Sequence, residues 1–335
     1  MGLKVIQVGC GEFGYTWLKD VVLQSTNVEL IGLVDANEVS LNKANMIAGL
    51  DSSRLFTSIE DALKASETEA ILNFTPPGVH KEIDFAGLNE GLPILSEKPI
   101  AENFEDVRQI LEKINKEKGQ LVIAENFRFT KVFREVKEIV SRGDLGAIDH
   151  VAVEFYRHHQ MDNYHGDMDH PLLLDVSIHH FDVMRYILGC EAVDITARGW
   201  NPELSWYKGC TKVGAVIAME GDIHVTYTGS LTEAGSSTDW LGRWRISGSE
   251  ALLIIEGNTI EVHKAGDIRK RIVPDDIDNR QSVLEEFSRA LKEDRLAETS
   301  IEDNIRTYSM VEAAVRSIAR KTTVHIKEVE KDYES

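Results

Sequence analysis

Across the first 125 residues, short apolar runs rich in β-branched side chains alternate with segments of helical period. The runs are Leu3–Val8, Val28–Val34, Ala70–Phe74, Pro93–Ser96 and Gln120–Ala124. They are close to continuously apolar, which suits strands buried on both faces better than strands with one wet face. Strands that alternate with helices in this way pair parallel, because each connection needs a crossover. Glycine and proline mark the joints: Gly91 before one run, Pro76-Pro77 after another, and Gly119 closing the helix that begins near Phe104. The pattern predicts a parallel sheet covered by helices, the α/β class.

The texture changes near Asn126. A helix is predicted around Val132–Arg142, ended by Gly143, with a strand after it at Ile148–Phe155. A loop rich in His and Asp, Arg157–His170, leads to a helix from about Pro171 to Leu188, stopped by Gly189. From Ala192 to about Val273, closely spaced strands follow, with turns such as Glu220-Gly221-Asp222 and Glu256-Gly257-Asn258. Such spacing predicts an α+β domain with an open, mostly antiparallel sheet and that helix laid against it. Helices at about Asn279–Lys292 and Ile301–Arg320 end the chain. We therefore expect two domains, 1–125 and 126–335, with the terminal helix free to pack back on the first. A length of 335 residues is enough for two separate cores.

The balance of 56 acidic against 37 basic residues gives a formal net charge of −19. A surface that negative repels phosphate backbones and anionic lipid, so nucleic acid and membrane are poor partners. No run approaches the roughly 20 apolar residues of a membrane span. No charged leader precedes the first strand, and we expect a cytoplasmic protein. Cys10, Cys190 and Cys210 form neither a C-x-x-C pair nor a zinc spacing, which predicts reduced, structural thiols.

The sharpest local motif is Gly9-Cys10-Gly11-Glu12-Phe13-Gly14, placed directly after an apolar strand and opening a helix. In that context the first glycine permits the tight turn, the second lets backbone approach a pyrophosphate, and the third lets helix pack on strand. Asp35 ends the next strand, 21 positions after Gly14. A carboxylate there accepts hydrogen bonds from the adenosine ribose and repels a 2′-phosphate, and no Arg or Lys occurs in the next seven residues. The motif predicts NAD as cofactor on a Rossmann domain.

Further motifs follow in order: Thr75-Pro76-Pro77-x-x-His80, Glu97-Lys98-Pro99, Asn126-Phe127-Arg128-Phe129, Gly143-x-Leu145-Gly146, Asp175-x-x-x-His179 and Trp244-Arg245-Ile246-x-Gly248. With the glycine turn, they resemble the glucose–fructose oxidoreductase / inositol dehydrogenase / rhizopine catabolism protein family (Gfo/Idh/MocA). The resemblance runs from residue 3 to about 250. It implies an active site between the domains and an oligomer, homodimer or homotetramer, built on the second sheet. It also implies cofactor contacts at Gly9, Gly11, Glu12, Phe13, Gly14, Asp35, Thr75, Pro76, His80, Glu97 and Lys98. Members often carry glycines just before the Asp-x-x-x-His helix, where this chain has His170-Pro171-Leu172-Leu173-Leu174.

At about 3.6 residues per turn, Asp175, His179, Asp182 and Tyr186 share one helix stripe. Polar groups gathered on one face of an apolar helix suit a cleft wall, although a structural ion pair accounts for them too. The resemblance favours catalysis, with Lys98, Asp175 and His179 as catalytic residues that also contact substrate. Lys98 sits at the carboxyl end of a parallel strand, where ligands bind in open α/β sheets. A neighbouring nicotinamide cation would lower its pKa and suit it to relay a proton. A cis peptide before Pro99 would fix the lysine's direction. Arg128 either anchors a substrate oxygen or clasps the domain junction. His158, His159, His165 and His170 match no closed zinc pattern, so no metal is expected.

The reading is NAD-dependent hydride transfer to or from a secondary alcohol of a sugar, polyol or related small molecule. Two alternatives stay open: an NAD-assisted sugar lyase, glycosidase or isomerase without net redox, and a non-catalytic sugar sensor on the same fold.

Overall fold

A computed structural model describes residues 2–160, 164–274 and 278–334. It divides into two compact units, Met1–Asn126 with Ile277–Ile305, and Phe127–Asp276 with Arg306–Ser335.

The first unit alternates strand and helix: β1 (Leu3–Val8), α1 (Glu12–Asp20), β2 (Val28–Val34), α2 (Glu38–Ala48), β3 (Leu55–Phe56), α3 (Ile59–Ala65), β4 (Ala70–Asn73), α4 (Pro77–Asn89), β5 (Ile94–Ser96), α5 (Phe104–Glu117) and β6 (Leu121–Ile123). All pairings are parallel, in the order β3-β2-β1-β4-β5-β6. The order reverses between β1 and β4, and the crevice beyond the carboxyl ends of two such strands is where open α/β sheets bind ligands. The short β3 is an addition to the predicted strands. Side-chain caps start several helices, among them Asn37 on α2 and Asn103 on α5, each worth about 1 kcal/mol.

In the second unit, α6 (Lys131–Ser141) precedes β7 (Ile148–Tyr156), and a π-helical turn at Leu172–Ser177 runs into α7 (Ile178–Leu188). Seven strands follow: β8 (Ala192–Trp200), β9 (Lys212–Met219), β10 (Ile223–Ser230), β11 (Arg243–Gly248), β12 (Leu252–Glu256), β13 (Thr259–Lys264) and β14 (Asp267–Ile272). After α8 (Asn279–Lys292) and α9 (Ile301–Arg320), the short β15 (Val324–His325) and α10 (Ile326–Glu334) close the chain. The sheet runs β14-β13-β12-β11-β7-β10-β9-β8-β15 among the described residues. It is antiparallel except where β10 pairs parallel with β7. Inward residues such as Val151, Val153, Phe155, Ile217, Tyr227, Trp244 and Ile246 are buried, while Thr226, Thr228 and Arg245 between them are exposed. This is the alternation of a sheet with one covered face.

A division at residue 125 assigns α8 to the second domain, whereas its contacts lie in the first unit. Gln281 Nε2 donates to Asp20 O at 3.1 Å, Arg280 Nη1 to Thr16 Oγ1 at 2.9 Å, and Ile123 N to Thr299 O at 2.9 Å. The last bond, with the Val122–Ser300 bridge, satisfies backbone groups that edge strand β6 would otherwise leave open. No helix among the described residues is long and apolar enough to cross a membrane. The three cysteines are free thiols, and burial pushes that of Cys10 up to about 12.

Candidate active site

The glycine turn joins β1 to α1. Gly9 has φ +93°, and a Cβ there would fall 2.5 Å from Phe74 O. One on Gly14 would lie 2.2 Å from Gly9 O, so neither position admits another residue without movement. Gly11 has nothing within 4 Å of its would-be Cβ, which leaves its backbone open to an approaching group. No side chain caps α1, so its first N–H groups remain available to an anion. Beneath the turn, the buried Gln7 donates from Nε2 to both Gly9 O and Gly14 O at 2.9 Å. Gln7 lies outside the glycine motif, and its signal in the sequence is a polar residue inside a run buried on both faces.

Asp35 Oδ2 accepts the Cys10 N–H at 2.7 Å, and Oδ1 accepts the Asn37 N–H at 2.7 Å. The carboxylate is thus tied to the glycine turn itself. Lys43, the first cation after Asp35, lies 4.9 Å over the Tyr15 ring. Glu12 and Phe13 form the first turn of α1, and Phe13 is exposed with the Arg280 guanidinium 6.0 Å from its ring. An open glycine cradle, an uncapped helix start and an acid beyond β2 together fit an NAD dinucleotide.

Two loops flank that cradle. Thr75 and Pro76 follow β4, and the Thr75 hydroxyl donates to Asn73 Oδ1 at 2.7 Å. Glu97 and Lys98 follow β5, and the Lys98–Pro99 peptide is cis. The buried Glu97 accepts the Trp17 indole N–H at 2.7 Å and the Lys98 N–H at 2.9 Å. Lys98 itself is half-buried. His80 is fully buried, with Nδ1 2.9 Å from Pro99 O and Nε2 2.8 Å from Thr75 O. Its effect on a ligand therefore passes through the loops it links.

In the second unit, Asp175 lies on the π-helical turn, where the Ile178 N–H reaches back to Leu173 O. The wider turn breaks the single α-helical stripe expected for Asp175, His179, Asp182 and Tyr186. Asp175 Oδ1 lies 3.5 Å from His165 Nε2. The His179 imidazole stacks on Phe127, centroids 4.2 Å apart and planes within 13°. Asp182 is buried and held by Arg128, whose Nε donates at 2.7 Å and whose Nη2 donates to the other oxygen. Thr307 adds a hydroxyl donor at 3.1 Å. The Tyr186 hydroxyl accepts from Arg134 at 2.8 Å. Arg128, for which the sequence leaves both a substrate anchor and a clasp open, has Nε and Nη2 committed to Asp182.

His180, which sequence reading passed over, is buried, with Nδ1 3.1 Å from the Tyr227 hydroxyl and Nε2 3.0 Å from Trp240 O. Burial raises the Tyr227 pKa, with the Ser177 bond opposing. In the loop, His159 faces Trp240 edge-on and its carbonyl accepts from Trp206 and Tyr207. Burial lowers the His159 pKa, Arg157 adding to the fall and Asp175 opposing it. Burial pushes the Tyr207 hydroxyl up to about 12. Residues 161–163 of this loop lie outside the described residues.

Residues 3–126 match the Gfo/Idh/MocA oxidoreductase family, NAD-binding Rossmann fold, and residues 133–254 match the family's C-terminal domain. The uncharacterized protein y4oX of Sinorhizobium fredii is 26% identical over 353 residues, covering 99% of this chain and 98% of that protein. Inositol 2-dehydrogenase of Leifsonia xyli subsp. xyli is 26% identical over 197 residues, 58% of this chain and 56% of its own. The crystal structure of an oxidoreductase from Agrobacterium radiobacter in complex with NAD+, L-tartaric acid and magnesium superposes with a TM-score of 0.90 at 19% identity. That match covers 98% of this chain and 99% of the other. With both halves matched and the glycine cradle formed, the chain belongs to the Gfo/Idh/MocA family and is an NAD-dependent oxidoreductase.

Proposed function

We propose that this chain oxidises a secondary alcohol of a polyol, sugar or related hydroxylated small molecule, or runs the reverse reduction. The observation that carries the reading is the setting of His179. Its ring lies flat against Phe127 on the first turn of α7, and only 7% of the residue is exposed. A face-stacked imidazole keeps one plane and presents its nitrogens edge-on, which suits a general base. The first unit binds the cofactor through the glycine turn and Asp35, with Thr75, Pro76 and Glu97 on the flanking loops, and the second unit contacts substrate. Bound NAD supplies the hydride acceptor. His179 takes the hydroxyl proton, Lys98 positions that oxygen and eases its deprotonation, and Asp175 orients an imidazole or grips a neighbouring hydroxyl. Arg128 holds α7 through Asp182 rather than anchoring substrate. A polyol substrate is favoured by the relatives named inositol 2-dehydrogenase.

A homodimer or homotetramer goes with this reading. On the open face of the second sheet, Val216 of interior strand β9 is 50% exposed, and a partner subunit would cover it. Light scattering that gives a mass near the monomer's 37.6 kDa counts against an oligomer.

The activity test follows NADH absorbance with NAD and a panel of polyols, aldoses, sugar acids and aminosugars. Release of NADH with one of them is expected. A product formed without NADH release would overturn net oxidation in favour of transient redox chemistry. Binding without any turnover would make the chain a sensor.

A further inference from the structure

Helix α4 presents His80 and Asp84 one turn apart, both fully buried. Asp84 Oδ1 accepts from Asn73 Nδ2 at 2.8 Å. The Asn73 oxygen in turn accepts the Thr75 hydroxyl at 2.7 Å and the Thr75 N–H at 3.3 Å. Asp84 Oδ2 and Ser96 Oγ are buried and fall short of hydrogen-bond geometry, yet the Ser96 hydroxyl is close enough to oppose the rise in the Asp84 pKa. Burial pushes that carboxyl up to about 7, and no charged group bears on it among the described residues. At His80, two carbonyls face one ring, and a neutral imidazole can donate to only one of them. Burial lowers its pKa, the Thr75, Pro99 and Ile100 carbonyls oppose the fall, and the charge of Lys98 adds to it.

These contacts bracket Lys98. Ser96 precedes it by two residues and faces Asp84; Glu97 accepts its own N–H; Pro99, the next residue, is held by His80. An apolar core of the same shape would be at least as stable as a partly satisfied buried polar network. Three polar side chains under two loops therefore specify geometry.

We propose that Asn73, His80 and Asp84 are positioning residues that hold the loops after β4 and β5 at one spacing and so aim Lys98. All three are fully buried, and the inference rests on the reading of Lys98 given above. With its proton on Oδ2, on the side of Ser96, Asp84 keeps Oδ1 as the acceptor for Asn73, and an asparagine at 84 offers a donor and an acceptor in the same shape. As pH rises through about 7, Asp84 ionises and that donor is lost.

The experiment compares Asp84→Ala, Asp84→Asn and Lys98→Ala in the full chain. It reads four quantities: labelling of Lys98 by trace acetic anhydride relative to exposed Lys118, NAD affinity, melting temperature, and kcat on the alcohol found by the panel. Because a small displacement of a reacting group is costly, Asp84→Ala is expected to change Lys98 labelling about threefold or more and to lower kcat about tenfold or more, with NAD affinity retained. Asp84→Asn should restore both and flatten the change in kcat near pH 7. Unaltered labelling and unaltered kcat per folded molecule in Asp84→Ala, even with a lower melting temperature, would overturn the inference. If Lys98→Ala keeps its turnover, the Lys98 reading fails on its own, and the labelling still decides whether the brace aims the lysine.

Discussion

The cradle after β1 and the face of α7 are built by different means. In the cradle, glycines, an uncapped helix start and one carboxylate do the work, and side chains matter mostly by their absence. On α7 the geometry comes from side chains packed on side chains: His179 on Phe127, Asp182 on Arg128 and His180 on Tyr227. A backbone-built site depends on spacing along the chain and tolerates little at its few fixed positions. A side-chain-built site divides its residues between those that meet a ligand and those that hold them, and periodicity does not tell the two apart.

The largest expected effect tests which α7 residues meet the ligand. Loss of a positioned acid–base group typically costs about 10²–10⁴-fold in rate, so His179→Ala and Lys98→Ala should each lower kcat by that order. NAD affinity, measured by titration, should survive, because the glycine turn and Asp35 are left intact. Asp175→Asn should also lower kcat and shift the pH–rate profile. A His179→Ala enzyme with near wild-type turnover ends the proposed mechanism.

The next test concerns the holding residues. Arg128→Leu strands a buried carboxylate, and breaking such a pair costs about 3–5 kcal/mol. Calorimetry should show that loss, whereas a substrate anchor would show a raised KM at unchanged stability. In the cradle, Asp35→Ser removes the charge that would face a 2′-phosphate. The ratio of kcat/KM for NAD over NADP should fall, and comparable values for both cofactors in the unaltered protein would sink the preference.

A further effect is in stability against pH. The folded Asp84 pKa, about 7, lies above the roughly 4 of an unfolded aspartate. The folded state therefore binds the proton more tightly, and the contribution is full below about pH 4 and lost as pH rises through about 7. Denaturant melts should show wild type losing stability relative to Asp84→Asn as pH rises across that window, with a constant difference above it.

The long strands, the glycine cradle and Lys98 at the end of β5 were legible because each is a local pattern of period or spacing. Leu55–Phe56 and Val324–His325 were not, since two residues have no period. The π-helical turn at Leu172–Ser177 looks α-helical in the sequence, because Leu172-Leu173-Leu174 is compatible with either and hydrogen bonding decides. The return of α8 to the first unit depends on contacts with Thr16 and Asp20, more than 250 positions away. Gln7 and Asn73 carried a usable signal, a polar residue in a doubly buried strand, and only the structure shows what each one holds.

The bond from Cys10 N–H to Asp35 has a consequence for changing cofactor choice. The group that would discriminate against NADP is also a strut of the turn that would hold the pyrophosphate. A replacement that welcomes the extra phosphate but places no oxygen against the Cys10 N–H also releases that strut, so the new cofactor inherits a looser grip on the part it shares with the old one. A switch of preference at this position should therefore arrive as a general weakening first, with tight binding recovered only by a second change that re-ties Cys10.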